Sequence, residues 1–152
     1  MKIEGFQADA SVRAQKRIAS RIKNNSLELT KILIDAMIRY TRNSEEIYIY
    51  SGTLSQDTYH TLLGSRAKCV HILLDKVTDL DWLLHADNRP KLNVQVIKTP
   101  RINHFLCTTG GFFQFQKDKS KCEEEANFND MDTCQTLISA FDRYQANAKK
   151  VV

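Results

Sequence analysis

No apolar run in this sequence is long enough to cross a membrane, and its first ten residues, MKIEGFQADA, hold no stretch that could serve as a signal peptide. The four cysteines, Cys69, Cys107, Cys122 and Cys134, are widely separated and form no C-x-x-C, so zinc-ribbon and thioredoxin-type spacings are excluded. None of the four histidines stands at a metal-ligand spacing from another histidine, cysteine or acid, and no metal or cofactor is implied. G-x-G-x-x-G and the Walker lysine are missing too. Ser51-Gly52-Thr53-Leu54-Ser55 has a single glycine after a strand-like run, too little for a nucleotide cradle. There is no internal repeat, no low-complexity segment and no linker. What remains is one domain of ordinary globular composition, residues 1–152, with a core large enough to need neither disulfide nor metal. A reducing, cytoplasmic setting fits the cysteine usage. The formal net charge of +4 permits a phosphate-bearing partner without demanding one.

Residues 1–44 read as a helical extension and residues 45–148 as an α/β core. Ser11–Asn24 is predicted to be a helix with a thin apolar stripe of Val12, Ile18 and Ile22. Arg13, Lys16, Arg17, Arg21 and Lys23 surround that stripe with no acid among them. Asn25, with Glu28 three residues on, predicts the cap of a second helix, in which Leu29, Ile32, Leu33, Ala36, Met37 and Tyr40 recur at helical spacing. Strands are expected at Ile47–Tyr50, Cys69–Leu74 and Leu92–Ile97, with helices over Gln56–Leu63 and Thr78–His85 between them. That alternation predicts parallel βαβαβ, and the nearly continuous apolar run CVHILL suits a sheet covered on both faces. His104–Thr108 and Phe112–Phe115 then form an antiparallel hairpin about Gly110-Gly111. A polar loop over Lys117–Glu125 and a helix from Asp130 complete the chain. The fold class is thus α/β, with a mixed sheet built from βαβαβ plus an antiparallel hairpin and flanked by helices.

This layout resembles one half of a phospholipase D-like domain. In that family the first hairpin strand carries H-x-K-x-x-x-x-D, and a Gly-Ser…Asn segment follows. The resemblance implies that the histidine would attack phosphorus or protonate the leaving group, while lysine, serine and asparagine would hold phosphate oxygens. Here Leu106-Cys107-Thr108-Thr109-Gly110 fixes the register, so Ile102 stands at the histidine position, His104 at the lysine and Thr109 at the aspartate. Ala126-Asn127-Phe128 corresponds to the later segment and carries over Asn127 alone. The chain therefore resembles a degenerate, single-half member that lacks the catalytic motif.

Several residues have two readings. His104 is either a strand-end histidine with an ordinary hydrogen bond or the centre of an altered phosphate site with Asn127. Ser51 and Thr53 would lie at the carboxyl end of a strand, where α/β folds bind ligands. His71 reads as a sheet-face histidine, His60 and His85 as solvated. Cys69, Cys107 and Cys134 read as small core residues and Cys122 as an exposed thiol. Arg13, Lys16, Arg17, Arg21 and Lys23 form either a phosphate-contacting patch or the solvated side of a helix that packs on a second subunit. Aromatic residues are not interleaved among these cations, so stacking on single strands is unsupported. Glu123–Glu125 reads as a solvated loop, or as the counter-charge to a partner subunit's basic helix.

The function these features favour is a non-catalytic cytoplasmic binding or interaction module that forms a homodimer. Two alternatives stay open. One is a phosphodiesterase or nuclease centred on His104. The other is a nucleic-acid-binding regulator that uses the basic N-terminal segment.

Overall fold

Strands with apolar residues on both faces need cover on both sides, and the chain supplies it with helices from its two ends. The computed structural model describes residues 3–24, 26–52, 55–74, 92–97, 103–118, 123–146 and 148–150. Along the chain these are α1 (Ile3–Lys16), β1 (Ile22–Asn24), α2 (Leu27–Arg39), β2 (Glu46–Ser51), α3 (Gln56–Leu63) and β3 (Cys69–Leu74). They continue with β4 (Leu92–Ile97), β5 (His104–Thr108), β6 (Phe113–Gln116), β7 (Glu124–Asn127), α4 (Met131–Gln145) and β8 (Ala148–Lys150). The strands form one sheet in the order β1-β7-β6-β5-β2-β3-β4-β8. β2, β3 and β4 run parallel, and the other pairings are antiparallel.

One core lies between the sheet and α1, α2 and α3. Ile47, Ile49, Val70, Ile72, Leu74 and Val94 meet Phe6, Ala10, Leu33, Met37 and Leu62 there. The other lies under α4, where Tyr50, Leu73, Phe105, Cys107 and Phe113 meet Cys134, Leu137, Ile138 and Phe141. The alternation of side chains along each strand sends neighbouring residues to different cores. This is why CVHILL can be apolar almost throughout. Leu33, Met37, Val70, Ile72, Leu73, Val94, Leu137, Ile138 and Phe141, each on the apolar face of its element, are buried, Val96 is partly buried, and Cys69, read as a core residue, is only half-buried.

The N-terminal segment departs from expectation. The helix predicted over Ser11–Asn24 begins at Ile3 and stops at Lys16, and residues 22–24 are a strand instead. The stop is made by Arg17, which takes a left-handed φ of 53°. Ile18 N–H then donates to Arg13 O at 3.0 Å, the reversed bond that closes a helix end. The following residues pair β1 with β7, Ile22 opposite Ala126. The second helix is capped by Ser26, not Asn25, and the Ser26 hydroxyl accepts from Leu29 N–H at 3.3 Å. Glu124 and Glu125, expected in a solvated loop, belong to β7. Phe112 lies in the turn and not in the second hairpin strand. At that turn Gly111 has φ +102°, which only glycine adopts without strain. The helix predicted over Thr78–His85 lies outside the described residues.

Candidate functional site

Thr109 and Asn127, two of the residues aligned with the family pattern, make structural hydrogen bonds. Thr109, at the aspartate position, ties the hairpin turn to β2: its hydroxyl accepts from Glu46 N–H at 3.0 Å, and its own N–H donates to Glu46 O at 3.0 Å. Asn127 Oδ1 accepts from Ser20 N–H and Asn129 N–H, each at 3.0 Å. Ile102 and Thr53 lie outside the described residues.

His104 opens β5, half-buried and opposite Gln116. Tyr50 pairs with Phe105, so the same register continued by one residue sets Ser51 beside His104. The structure therefore brings His104 and Ser51 together at the carboxyl end of β2. It does not bring Asn127 to them. Asn127 is in register with Phe113 and, through it, Cys107. It therefore lies three residues along the strand and two strands across from His104, roughly 14 Å away and on the other face.

The five N-terminal cations do not share one face. Arg17 turns inward. Its guanidinium holds Glu45 with two bonds, 2.7 and 3.0 Å, donates to Gly110 O and Tyr40 O at 3.0 Å each, and lies 4.0 Å over the Phe112 ring. Arg13 pairs with Asp9 at 2.8 Å and also bonds Ser20. Arg21 pairs with Glu125 of its own chain, the acid expected to serve a partner subunit. Lys16 and Lys23 are exposed, one on α1 and one on β1.

Basic side chains do converge elsewhere. A cleft of about 570 Å³ is lined by Arg39, Arg42 and Arg66, with Thr41, Asn43 and Ser44 among its polar groups. All three arginines are exposed, and among the described residues no carboxylate lines the cleft. The fold builds it from two loops that precede parallel strands. Arg39 ends α2, and Arg42 follows in the turn to β2. That turn is fixed from inside: the Glu45 carboxylate that Arg17 holds also accepts from Arg42 N–H at 2.7 Å. Glu45 O accepts from Lys68 N–H at 2.8 Å, and Ser65 Oγ donates to Ile38 O at 3.3 Å. These bonds draw the loop carrying Arg66 against the first. This cleft was not legible in the sequence. Its signal was R-Y-T-R-N-S and R-A-K, two basic turns before predicted strands, and nothing in either string says that they meet.

No protein-family model and no curated protein matches the sequence. Three-dimensional likeness is clear nonetheless. Nuc from Salmonella typhimurium, a phospholipase D family member, is similar with a TM-score of 0.66 at 12% identity, over 88% of this chain and 99% of Nuc. NucT from Helicobacter pylori is similar with a TM-score of 0.62 at 13% identity, over 88% of this chain and 100% of NucT. TrmBL2, an archaeal chromatin protein with a novel mode of DNA binding, is similar with a TM-score of 0.69 at 14% identity. That match takes in 97% of this chain and 60% of TrmBL2, so the chain spans about three-fifths of that protein's length. The chain thus resembles phospholipase D family members in its fold, as the layout of strands, hairpin and helix suggested.

Proposed function

We propose that the protein is a non-catalytic module that binds a phosphate-bearing polymer, duplex DNA in the first instance, through the cleft of Arg39, Arg42 and Arg66. One observation carries this reading: three exposed guanidinium groups line one cleft with no acid beside them among the described residues. Guanidinium forks match phosphate oxygens in shape and charge, and phosphate contacts supply affinity without regard to sequence. DNA binding by TrmBL2, whose fold is similar, is compatible with it. The non-catalytic part rests on His104, which has neither a lysine two residues on nor an aspartate beyond it, and on its distance from Asn127. In this reading the protein is cytoplasmic and pairs with a second copy through the exposed Val12 and Ile18 of the N-terminal segment.

Fluorescence anisotropy with a labelled duplex tests it. With three phosphates engaged, affinity should fall about 40-fold between 50 and 200 mM salt. Arg39→Ala, Arg42→Ala and Arg66→Ala should each lower the slope of log affinity on log salt by about one. Binding that survives all three together would sink the cleft. Binding lost instead with Lys16→Ala and Lys23→Ala would move the interface to the N-terminal segment. The duplex should come through uncut, and cleavage that vanishes in His104→Ala would restore the enzyme reading.

A further inference from the structure

Glu46, Cys69 and His71 were not connected by their spacing in the sequence. The fold places them on one face of the sheet, the face that α4 covers. Cys69 and His71 are two apart on β3 and so share a side of the strand. The parallel register sets Glu46 of β2 opposite Cys69, and Tyr48 opposite His71. One donor atom from each of Glu46, Cys69 and His71 lies within 4.8 Å of the others. His71 Nε2 and Glu46 Oε1 are 3.0 Å apart. Cys69, expected in the core, is only half-buried, and Glu46 and His71 are half-buried with it.

We propose that Glu46, Cys69 and His71 form a three-ligand site for a divalent transition metal, with Zn²⁺ the best fit. A His–Glu hydrogen bond by itself accounts for two of the residues and leaves the thiol beside them without a role. A sulfur, an imidazole and a carboxylate are the donor set that zinc takes. Tetrahedral coordination at ordinary zinc distances puts donor atoms about 3.3–3.6 Å apart. The nitrogen–oxygen pair would open by a few tenths of an ångström, and the thiol would move in by side-chain rotation. The imidazole is already held. It stacks on Tyr48 with centroids 4.5 Å apart, and Phe141 of α4 meets it edge-on at 6.4 Å. Half-burial leaves an approach from solvent and a fourth position for water. This proposal is independent of the arginine cleft, and neither test reads on the other.

Titration of the whole chain with Co²⁺, under reducing conditions, provides the test. One equivalent should bind, with a thiolate-to-cobalt charge-transfer absorption, and Zn²⁺ should displace it. Cys69→Ser, nearly isosteric, should abolish the charge-transfer band while circular dichroism reports an intact fold. Cys122→Ser should keep it. His71→Gln should weaken binding by more than about 10-fold, at least the loss that follows removal of an outer-shell partner. Absence of the band in the wild type, or its persistence in Cys69→Ser, would overturn the site.

Discussion

Arg17 occupies a backbone region that costs an ordinary residue about 1–2 kcal/mol, and its side chain shows what offsets that cost. The guanidinium neutralises Glu45 where both side chains are nearly out of water, 13% and 11% exposed, and satisfies two backbone carbonyls as well. A glycine could close the helix as well but could hold none of these groups. The same segment therefore looked like one basic helix in the sequence, because nothing in R-A-Q-K-R-I says which arginine turns inward. Glu124 is the opposite case, an acid whose place works against its charge. It is buried, accepts from the Thr30 hydroxyl, and is pushed up to about 7 by that burial. The neighbouring Gln114 amide offsets part of the rise, although it lies outside good hydrogen-bond geometry. A carboxyl whose pKa is higher in the folded chain favours folding while it is protonated. Its contribution is full below about 4.5 and is lost as pH rises through about 7. That loss is on the order of 3 kcal/mol. Urea denaturation from pH 4.5 to 8 should show Glu124→Gln with a flatter pH dependence than the wild type; parallel curves for the two would remove Glu124 as the cause.

At the scale of elements, legibility followed the strength of the apolar pattern. β3, β4, α3 and β5 fall on the residues their patterns predicted. Leu73, fully buried under α4, is a direct test of that pattern. Leu73→Ala should cost about 2–5 kcal/mol of unfolding free energy, read by chemical denaturation. A cost below about 1 kcal/mol would mean that the side chain does not fill that core. The elements that escaped are β1, β7 and β8, IKN, EEAN and AKK, short and largely polar. They are strands because their backbones find a partner, which no period-two pattern announces. The arginine cleft and the Glu46–Cys69–His71 group were hidden for a related reason. Cys69 and His71 could be placed on one side of a strand from their spacing alone, but Glu46 joins them only through the parallel register. Arg39, Arg42 and Arg66 meet only because Glu45 and Ser65 tie their loops together.

For the whole molecule, the N-terminal segment carries the proposed pairing. Val12 and Ile18 are 43% and 39% exposed, whereas Ile22, the third member of the expected stripe, packs against its own core. Sedimentation velocity should give a mass near twice 17.5 kDa at micromolar concentration, falling to the monomer in Val12→Asp with Ile18→Asp. A wild-type monomer would end the proposal, and a dimer indifferent to both substitutions would move its interface elsewhere.

The sheet ends on both sides in three residues, β1 against β7 and β8 against β4. An interior strand such as LNVQVI, left as an edge, offers a row of free amides and carbonyls to any other chain. The short outer strands occupy that row, and β1 adds the exposed Lys23, a charge that a second sheet would have to bury. Cover for the longer strands against another chain therefore falls to the two smallest strands of the sheet. Fraying of either would invite aggregation before the rest of the fold had loosened.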